Sequence, residues 1–488
     1  MRRILVLLSL LLLARSGHAS DERWYVLMMQ GQRAGWMVER ERTADGSIES
    51  TTESSLTIRR GETSLTISMA SRFIETEDGR PIEMSSTTNL GGGETVDRYI
   101  FDPDGVRWSS TSNGTTTERV LPLPEGRWLP PAAAARYTAK RLGARAEEIT
   151  VRTIDPLNGL EPVVTTRSAF EPATIEVLGR TVSALRCSAR SDLYPDSIGT
   201  EYIDEQGNLL RSEFNLGAMR VSVVAADEQL AKTRLDPPEL MRSLFVTPDR
   251  PIERPYERRG ATFVVRAIEG NLPEIPETGG QRVGQIDAQS VRLTRSIGES
   301  SPPNATEDRA RLTAPSAMIT CDDPRVIELA NAALTGAPRD PAARAERARR
   351  FVHRHIRTKD LSVGFASAAE TARTREGDCT EHAVLLAALL RCDGIPARVI
   401  SGLIYADRFA GGRDIFGYHM WTQALLPVGP KGEARWVDLD ATLPDSIPIT
   451  ATHIALGVHD LAGDSRANAL VELAPLMGRL AIRVESVE

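Results

Sequence analysis

Apolar and polar residues alternate through most of the first half of the chain. A period of two residues is typical of strands with one buried face, and Asp-Gly or Asn-Gly turn pairs recur between the alternating stretches. The clearest predicted strands are Trp24–Met29, Gly35–Arg42, Glu49–Arg59, Ser64–Glu75 and Thr95–Phe101. A helical pattern at Pro130–Lys140 interrupts them, and strand character resumes from Thr150 to Val224. Residues 20–235 are therefore predicted to form a β-rich antiparallel domain of unknown role.

Prolines mark the next part of the chain, residues 236–322. Five of them fall within Asp236–Pro255, which predicts a linker. Strand patterns follow at Ala261–Ile268, Val291–Ile297 and Ala310–Ile319, and a proline inside the last one weakens it. We expect a linker followed by a small β module.

From Asp323 onward the pattern changes to a helical period. Pro324–Leu334 predicts one helix. A second begins at Asp340, a favourable N-cap, because Pro341 then occupies the first helical position. A third, Thr380–Arg391, is strongly apolar and is ended by Gly394 and a nearby proline.

Two stretches with strand character follow the third helix. They are Tyr418–Trp421 and Arg435–Thr442, and a Gly/Pro turn at Val428–Glu433 separates them. We expect an antiparallel hairpin packed on the third helix. Helices followed by such a hairpin predict an α+β domain over residues 323–488.

Cys379 stands directly before the apolar part of the third helix. Gly377 and Asp378 predict a turn and a helix N-cap in front of it. A thiol at a helix N-terminus lies at the positive end of the backbone dipole, which favours the nucleophilic thiolate. The alternative is a small buried hydrophobe that happens to begin a helix. His419 and an Asp on the hairpin would supply the base and the orienting carboxylate that thiol acyl chemistry needs.

Four ordered segments in the last third of the chain resemble the core of the transglutaminase-like superfamily. They are Gly-Asp-Cys-Thr-Glu-His-Ala (377–383), Leu-Leu-Arg-Cys-Asp-Gly-Ile-Pro-Ala-Arg-Val-Ile-Ser-Gly (389–402), His-Met-Trp (419–421) and Trp-Val-Asp-Leu-Asp-Ala-Thr (436–442). The resemblance implies a papain-like α+β fold with a Cys-His-Asp triad. Carried over, it makes Cys379 the nucleophile, His419 the base and Asp440 the orienting carboxylate. The family usually has proline after that aspartate, whereas this chain has Ala441, and Asp438 therefore competes for the role.

The resemblance also implies a function. We expect acyl transfer from amide groups of a protein or peptide substrate, with an amine or water as acceptor and without a cofactor. One alternative is a cysteine peptidase or amidase of the cell envelope, which would share the triad. The other is a non-catalytic binding or assembly module whose triad is vestigial, because folds can outlive their chemistry.

The first nineteen residues differ from the rest. Arg2 and Arg3 precede an apolar run from Ile4 to Ala14, and small residues surround Ala19, which predicts a signal peptide cleaved after that residue. The alternative is an uncleaved anchor. We expect an exported protein, in the periplasm, the cell envelope or outside the cell, without a membrane span in the mature chain.

Charge and composition narrow the possible partners. Residues 1–19 contain three arginines and no acid, so their removal changes the formal net charge from -7 to -10. An acidic exported chain is a poor candidate for nucleic-acid binding, and we expect none. With 41% hydrophobic and 26% charged residues, the composition is that of a globular protein.

The remaining cysteines and histidines predict neither a disulfide scaffold nor a metal site. Cys379 and Cys392 lie thirteen positions apart on one predicted helix, about 20 Å, which is too far for a disulfide bond. Cys187 and Cys321 lie in other segments, where pairing is the less favoured option. His453 and His459 lack an accompanying zinc-type cluster, and we expect no metal.

A few other side chains near the motifs allow two interpretations. His382, one turn after Cys379, can contact the thiol or be a partly buried polar residue, and the second interpretation is favoured. Trp421 and Trp436 can be hairpin core or walls that exclude water, with core favoured. Ser367 and Thr371 are candidates for a second oxyanion donor without a decisive context.

Overall fold

The chain folds into two compact units. The computed structural model describes residues 21–91, 93–112, 114–193, 197–304, 307–359, 361, 363–461 and 476–488. The predicted signal peptide lies outside these residues. Of these residues, one unit contains those up to Ile58 and those from Thr66 to Pro238, and the other contains Arg59–Leu65 and those from Glu239 onward. The division of the chain by function stays a prediction.

Most of the first unit is an antiparallel sheet of fourteen strands, in the order β8-β7-β6-β5-β4-β3-β2-β1-β14-β13-β12-β11-β10-β9. The segment Arg59–Leu65, where β3 ends and β4 begins, belongs to the second unit. Its strands are β1 (Asp21–Met29), β2 (Gln32–Ala44), β3 (Ser47–Arg60), β4 (Thr63–Thr76), β5 (Pro81–Asn89), β6 (Glu94–Asp102), β7 (Gly105–Ser112), β8 (Thr115–Leu121), β9 (Glu148–Ile154), β10 (Pro162–Val177), β11 (Arg180–Ser191), β12 (Ile198–Ile203), β13 (Leu209–Leu216) and β14 (Met219–Ala226). Consecutive strands are mostly neighbours, as expected of a meander. The main exception is β1, which also pairs with β14.

The period-two pattern is confirmed in this sheet. Along β4, buried positions alternate with more exposed ones, and Leu65, Ile67, Met69 and Phe73 are buried. Helix α1 (Pro131–Gly143) lies where the helical pattern predicted it, and a short helix α2 (Glu228–Ala231) follows β14. The β-rich antiparallel fold of this part of the chain is therefore as predicted.

The second unit contains two sheets of four strands. The first has the order β16-β17-β15-β22 and the second the order β20-β19-β18-β21. Their strands are β15 (Gly260–Ala267), β16 (Gln281–Gln285), β17 (Ser290–Ser296), β18 (Ala397–Phe409), β19 (Gly412–Val428), β20 (Glu433–Leu439), β21 (His453–His459) and β22 (Leu480–Val487). The predicted hairpin of Tyr418–Trp421 with Arg435–Thr442 is the β19–β20 pair.

One apolar core is shared by the two small sheets. Phe263 of β15 meets Phe416 of β19 edge-to-face, with ring centroids 5.5 Å apart, and Ile482 of β22 belongs to the same cluster. The small β module therefore includes β22, from the far end of the sequence. The third expected strand of this module, Ala310–Ile319, is wrong: these residues form turns, and Leu312 N donates to Asp308 O.

Four helices of the second unit complete the α+β domain. They are α3 (Pro324–Leu334), α4 (Pro341–His355), α5 (Ala368–Thr374) and α6 (Cys379–Cys392). Asp340 caps α4 and Pro341 follows it, as predicted, and Asp323 with Pro324 begins α3 in the same way. Among the described residues, no helix is both long and apolar enough to cross a membrane.

Candidate active site

Cys379 is the first residue of α6. Asp378 is its N-cap, and the carboxylate accepts a hydrogen bond from Thr380 N at 2.9 Å. Gly377 precedes the cap with φ +151°, and a Cβ placed on it would lie 2.2 Å from Glu381 Cβ. Only glycine allows the chain to pass so close to the first turn of the helix.

Glu381 closes the capping box. Its Oε2 accepts from Asp378 N at 2.9 Å, and its Oε1 accepts from Ala366 N at 2.8 Å, which fixes the loop before α5 against the start of α6. Burial and the neighbouring Asp378 carboxylate raise the pKa of Glu381 well above its usual value. The turn around Cys379 is therefore fixed on both sides by carboxyl groups.

Helix α6 is the centre of the domain. All twelve residues from Thr380 to Arg391 are buried, because α3, α4 and α5 pack around the helix and β18 and β19 cover its remaining side. The single apolar face predicted from the sequence is thus part of a helix that is buried all round. Thr422 Oγ1 of β19 donates to Ala383 O at 2.9 Å and ties the strand to the helix.

His419 of β19 lies between Cys379 and Asp440. Its Nε2 is 2.8 Å from Asp440 Oδ2, and the partly exposed Cys379 side chain is close enough to its ring to act on the pKa of His419. Burial alone would lower the pKa of His419, but the Asp440 carboxylate and the hydrogen bonds outweigh it and raise the pKa to about 10. The three side chains inferred from the motifs are brought together in the order that a Cys-His-Asp triad needs.

Asp440 directly follows β20, and four hydrogen bonds surround its carboxylate. Oδ1 accepts from the backbone N and Oγ1 of Thr442, at 2.8 and 2.7 Å. Oδ2 lies 2.8 Å from His419 Nε2 and 3.0 Å from His453 Nε2. Burial would raise the pKa of Asp440, but the His419 charge and the hydrogen bonds from both imidazoles lower it well below its usual value.

Asp438, the alternative carboxylate, has other partners. Its Oδ1 accepts from Trp421 Nε1 at 2.8 Å and from Gln423 Nε2 at 2.7 Å, and its Oδ2 lies 2.7 Å from Arg295 Nη2. Asp438 therefore supports Trp421, while Asp440 contacts His419. The backbone O of Ala441, the residue after Asp440, lies 3.1 Å from His353 Nδ1.

The two hairpin tryptophans have different surroundings. Trp421 stacks on His419, with centroids 6.1 Å apart, and meets His453 edge-to-face at 5.0 Å. Trp436 is fully buried, donates to Glu307 and lies under the Arg398 guanidinium at 3.8 Å. Trp436 is thus a core residue, whereas Trp421 is a core residue that also lines the imidazole pair.

His453 was missed as a site residue, although the sequence marked it as an isolated candidate ligand. It begins β21, is fully buried, and shares a 2.9 Å hydrogen bond between Nδ1 and Thr450 Oγ1. Burial and the nearby His419 charge lower the pKa of His453, although Asp440 acts in the opposite direction. His453 is therefore a neutral imidazole that donates from Nε2 to Asp440.

The same side chains also have the spacing of a metal-binding group. His419, Asp440 and His453 offer ligand atoms within 4.8 Å of one another, the one such group in the part of the chain that the structure describes. Both imidazole Nε2 atoms point at a single carboxylate oxygen, which is the geometry of two hydrogen bonds. A metal ion at this place would break the contact between His419 and Asp440.

Several other candidates have local partners. His382 is buried, and its Nδ1 lies 2.6 Å from Asp378 O, so it supports the turn before Cys379. Ser367 caps α5, and Thr371 Oγ1 donates back to Ser367 O at 2.9 Å. His459 Nε2 lies 2.7 Å from Ser401 Oγ, away from the group around Asp440. The hydroxyl groups of Ser367 and Thr371 are thus used in local hydrogen bonds within α5 and its cap, and neither is identified as an oxyanion donor.

Arg349 of α4 is a supporting residue that no sequence motif singles out. It is fully buried and donates to the carbonyl oxygens of Asp440, Leu443 and Pro444 at 3.2 to 3.3 Å. These bonds hold the backbone that carries the Asp440 carboxylate. The helical period of α4 places Arg349 next to the apolar residues of that helix. Nothing in the neighbouring sequence indicates that its guanidinium binds the backbone of a loop about ninety residues away.

All four cysteines are free thiols. Burial raises the pKa of Cys187 and of Cys392 to about 12 and also raises the pKa of Cys321. These three thiols are therefore protonated at neutral pH and poor nucleophiles. Cys379 is the thiol that lies beside the His419 imidazole.

Comparisons with known proteins agree with the family resemblance. A family model described as the transglutaminase-like superfamily matches residues 329–441. No curated protein matches the chain.

Three solved structures show remote likeness. A β-barrel-like protein of a domain of unknown function from Brucella abortus is 10% identical, with coverage of 43% of this chain and 96% of that one and a TM-score of 0.32. A candidate cysteine protease from Cytophaga hutchinsonii is 15% identical, with coverage of 46% and 81% and a TM-score of 0.27. A candidate protease from Parabacteroides distasonis is 11% identical, with coverage of 76% and 69% and a TM-score of 0.18.

The family match spans α4, α5, α6 and the β18–β20 strands, and so includes Cys379, His419 and Asp440. The resemblance inferred from four short motifs is confirmed at the level of the superfamily. The C-terminal third of this chain contains a transglutaminase-like domain.

Proposed function

We propose that the transglutaminase-like domain is a thiol acyl-transfer enzyme that acts on amide groups of proteins or peptides. One observation carries the proposal: at the start of a central helix, Cys379 lies beside His419, whose Nε2 is 2.8 Å from Asp440 Oδ2. The supporting groups Thr442, His453 and Arg349 fix Asp440 from three sides. Such redundancy is expected of a site whose geometry must be maintained.

The proposed reaction begins with attack by the Cys379 sulfur on the amide carbon. His419 holds the proton that the sulfur has given up before it attacks, and backbone N–H groups at the start of α6 stabilise the tetrahedral oxyanion. His419 then donates a proton to the departing ammonia or amine, which leaves a thioester on Cys379. Because the pKa of His419 is raised to about 10, the imidazole is protonated at neutral pH, as this step requires.

The thioester is resolved by a second nucleophile. A primary amine or water attacks the carbonyl carbon, gives its proton to His419 and releases the Cys379 sulfur. With an amine the result is crosslinking, and with water it is deamidation or peptide-bond hydrolysis. The products of the reaction show whether an amine or water is the acceptor.

The proposal predicts that Cys379→Ala abolishes acyl transfer. Wild-type protein is incubated with a glutamine-containing peptide and a fluorescent primary amine, and the peptide is analysed by mass spectrometry. Loss of at least about 100-fold in rate is expected, since the nucleophile is removed. Cys392→Ala is the matched control, because it removes a thiol from the other end of the same helix.

The products separate the competing functions. Peptide carrying the amine identifies a transferase, whereas deamidated or cleaved peptide identifies a hydrolase. Peptide mapping after iodoacetamide treatment reports on the thiol itself. Wild-type Cys379 that resists alkylation at neutral pH would contradict the enzyme and support a binding module with a vestigial triad.

We propose further that the protein is exported. The support is the basic start, apolar run and small residues of the first nineteen positions. In the periplasm, the cell envelope or outside the cell, substrates would be exported or surface proteins and peptides.

A further inference from the structure

An arginine from a distant part of the sequence contacts the residue beside Cys379. Arg60 lies in the segment Arg59–Leu65, which belongs to the second unit. Its Nη2 is 2.5 Å from Asp378 Oδ2, and its Nη1 donates to Leu361 O and Val363 O at 3.3 and 3.1 Å. The guanidinium is thus held by the same unit that carries the nucleophile.

The backbone on both sides of Arg60 is fixed as well. Leu240 N donates to Arg59 O at 3.1 Å, and Gly61 N donates to Glu239 Oε1 at 3.2 Å. The Arg60 side chain keeps 22% of its surface exposed, while that of Asp378 keeps 4%. The ion pair is therefore anchored and largely shielded from solvent, where charge interactions are strongest.

Asp378 places a negatively charged carboxylate next to the Cys379 nucleophile. Burial would raise the pKa of Asp378, but the Arg60 charge and the hydrogen bonds from Thr380 N and Arg60 outweigh it and lower the pKa. The carboxylate next to Cys379 is thus negatively charged at neutral pH. Without a counter-charge, it would repel negative charge on the neighbouring sulfur.

Arg60 supplies that counter-charge. Burial would lower its own pKa, but the charge and the hydrogen bond of the Asp378 carboxylate, with Cys379 acting in the same direction, outweigh it and raise the pKa. The guanidinium is therefore within electrostatic reach of the sulfur, and it also secures the N-cap of α6 through Asp378.

We propose that Arg60 is a positioning residue for the thiol chemistry: it neutralises the Asp378 carboxylate and holds the first turn of α6, and so keeps that carboxylate from opposing the reaction of the neighbouring Cys379 sulfur. Arg60 makes and breaks no bond in the reaction. The inference rests on the reactive thiol of the proposed function and adds a residue that lies outside the family match.

The test is the pH profile of Cys379 alkylation in the full chain. The rate of iodoacetamide modification is measured from pH 5.5 to 9.5 and assigned to Cys379 by peptide mass mapping. Arg60→Met should slow the reaction about tenfold at pH 7 and displace the profile to higher pH, equivalent to about 1.4 kcal/mol. Arg60→Lys should stay within about threefold of wild type, because it keeps the charge.

A second substitution separates charge from structure. Asp378→Asn in the Arg60→Met background removes the unbalanced carboxylate but keeps a good N-cap residue, so it should restore the rate to within about threefold of wild type. Arg408→Met, at an exposed position on β18, is the matched control and should leave the profile unchanged.

Three outcomes would overturn the inference. In the first, folded Arg60→Met protein has the wild-type profile. In the second, its rate falls equally at every pH and Asp378→Asn gives no rescue, which indicates a purely structural role. In the third, wild-type Cys379 is unreactive, which contradicts the proposed function as well. Should Arg60→Met not fold, Arg60→Gln is measured against the same outcomes, because its amide can still donate to Leu361 O and Val363 O.

Discussion

Asp440 shows how a charge is kept inside this protein. The carboxylate is fully buried, yet each oxygen accepts two hydrogen bonds, and one of the donors is a protonated imidazole. Buried charges are tolerated when they are paired and hydrogen-bonded in this way. The pairing also keeps His419 protonated, because its pKa is raised to about 10.

Stability should therefore depend on pH through His419. Its pKa is raised on folding, so its contribution is complete below the unfolded value of about 6.5 and is lost as the pH rises towards 10. His419→Gln should lower the melting temperature by several degrees at pH 6 and by progressively less up to pH 10. Thermal unfolding followed by circular dichroism measures the difference at each pH.

The matched control is His353, a histidine whose pKa is shifted in the opposite direction. Burial lowers the pKa of His353, so His353→Gln should not show a difference that shrinks as the pH rises. A difference between wild type and His419→Gln that is constant from pH 6 to 10 would contradict a charged His419 in the folded protein.

The sequence located the residues that belong to short motifs and missed those that act from a distance. Cys379, His419 and Asp440 were inferred from three motifs, and the structure brings them together. Arg60 contacts Asp378 across 318 positions, which no local pattern encodes. His453 is the intermediate case, since its residue type attracted notice but only the fold shows that it shares Asp440 with His419.

At the scale of elements, the site depends on how closely strands β18, β19 and β21 approach. Gly402 of β18 pairs with His419 on one side and with Ala455 on the other. A Cβ on Gly402 would lie 2.0 Å from Ile454 O and 3.0 Å from the Trp421 ring. The missing side chain therefore lets Trp421 and His453 meet beside Asp440.

Gly402→Ala is expected to destabilise the domain by about 1–3 kcal/mol through overpacking and to reduce alkylation of Cys379. Urea unfolding measures the first effect and peptide mapping the second. The control is Gly284→Ala in β16, where a Cβ would make only ordinary contacts, at 3.7 Å or more. Equal free energies of unfolding for the two variants would show that β18 can move away from β21 and Trp421 without loss of stability, which contradicts the prediction.

Elements with a strong local pattern were predicted, whereas those defined by their neighbours were not. Helices α3, α4 and α6 have caps and apolar periods that the sequence displays directly. The short strand β16 lies in a stretch that resembles a glycine-rich loop, and its pairing with β17 makes it a strand. Ala310–Ile319 shows the reverse error, because an apolar run without a partner strand became turns.

At the scale of the whole molecule, the proposed export of the protein can be tested directly. An exported chain should begin at Ser20 after cleavage behind Ala19. We expect N-terminal sequencing of the protein recovered from an expressing cell to give Ser20 as its first residue. Leu11→Arg should interrupt the apolar run and retain the precursor in the cytoplasmic fraction, whereas the control Leu11→Ile should be processed normally.

Wild-type protein that keeps Met1 in the cytoplasmic fraction would contradict export. It would also remove exported and surface proteins from the set of expected substrates. The chemistry proposed for Cys379 would be unaffected, since it depends on the second unit alone.

Strand β22 links the site to the order in which the polypeptide is made. Its buried residues Leu480, Ile482 and Val484 fill the core that Tyr405 and Phe416 share beneath the sheet of His419. A ribosome adds these residues last among the parts of this core, so a nascent chain that ends before residue 480 lacks one wall of it. Thiol activity should therefore be absent from stalled or prematurely terminated products and should appear only when the finished chain has left the ribosome.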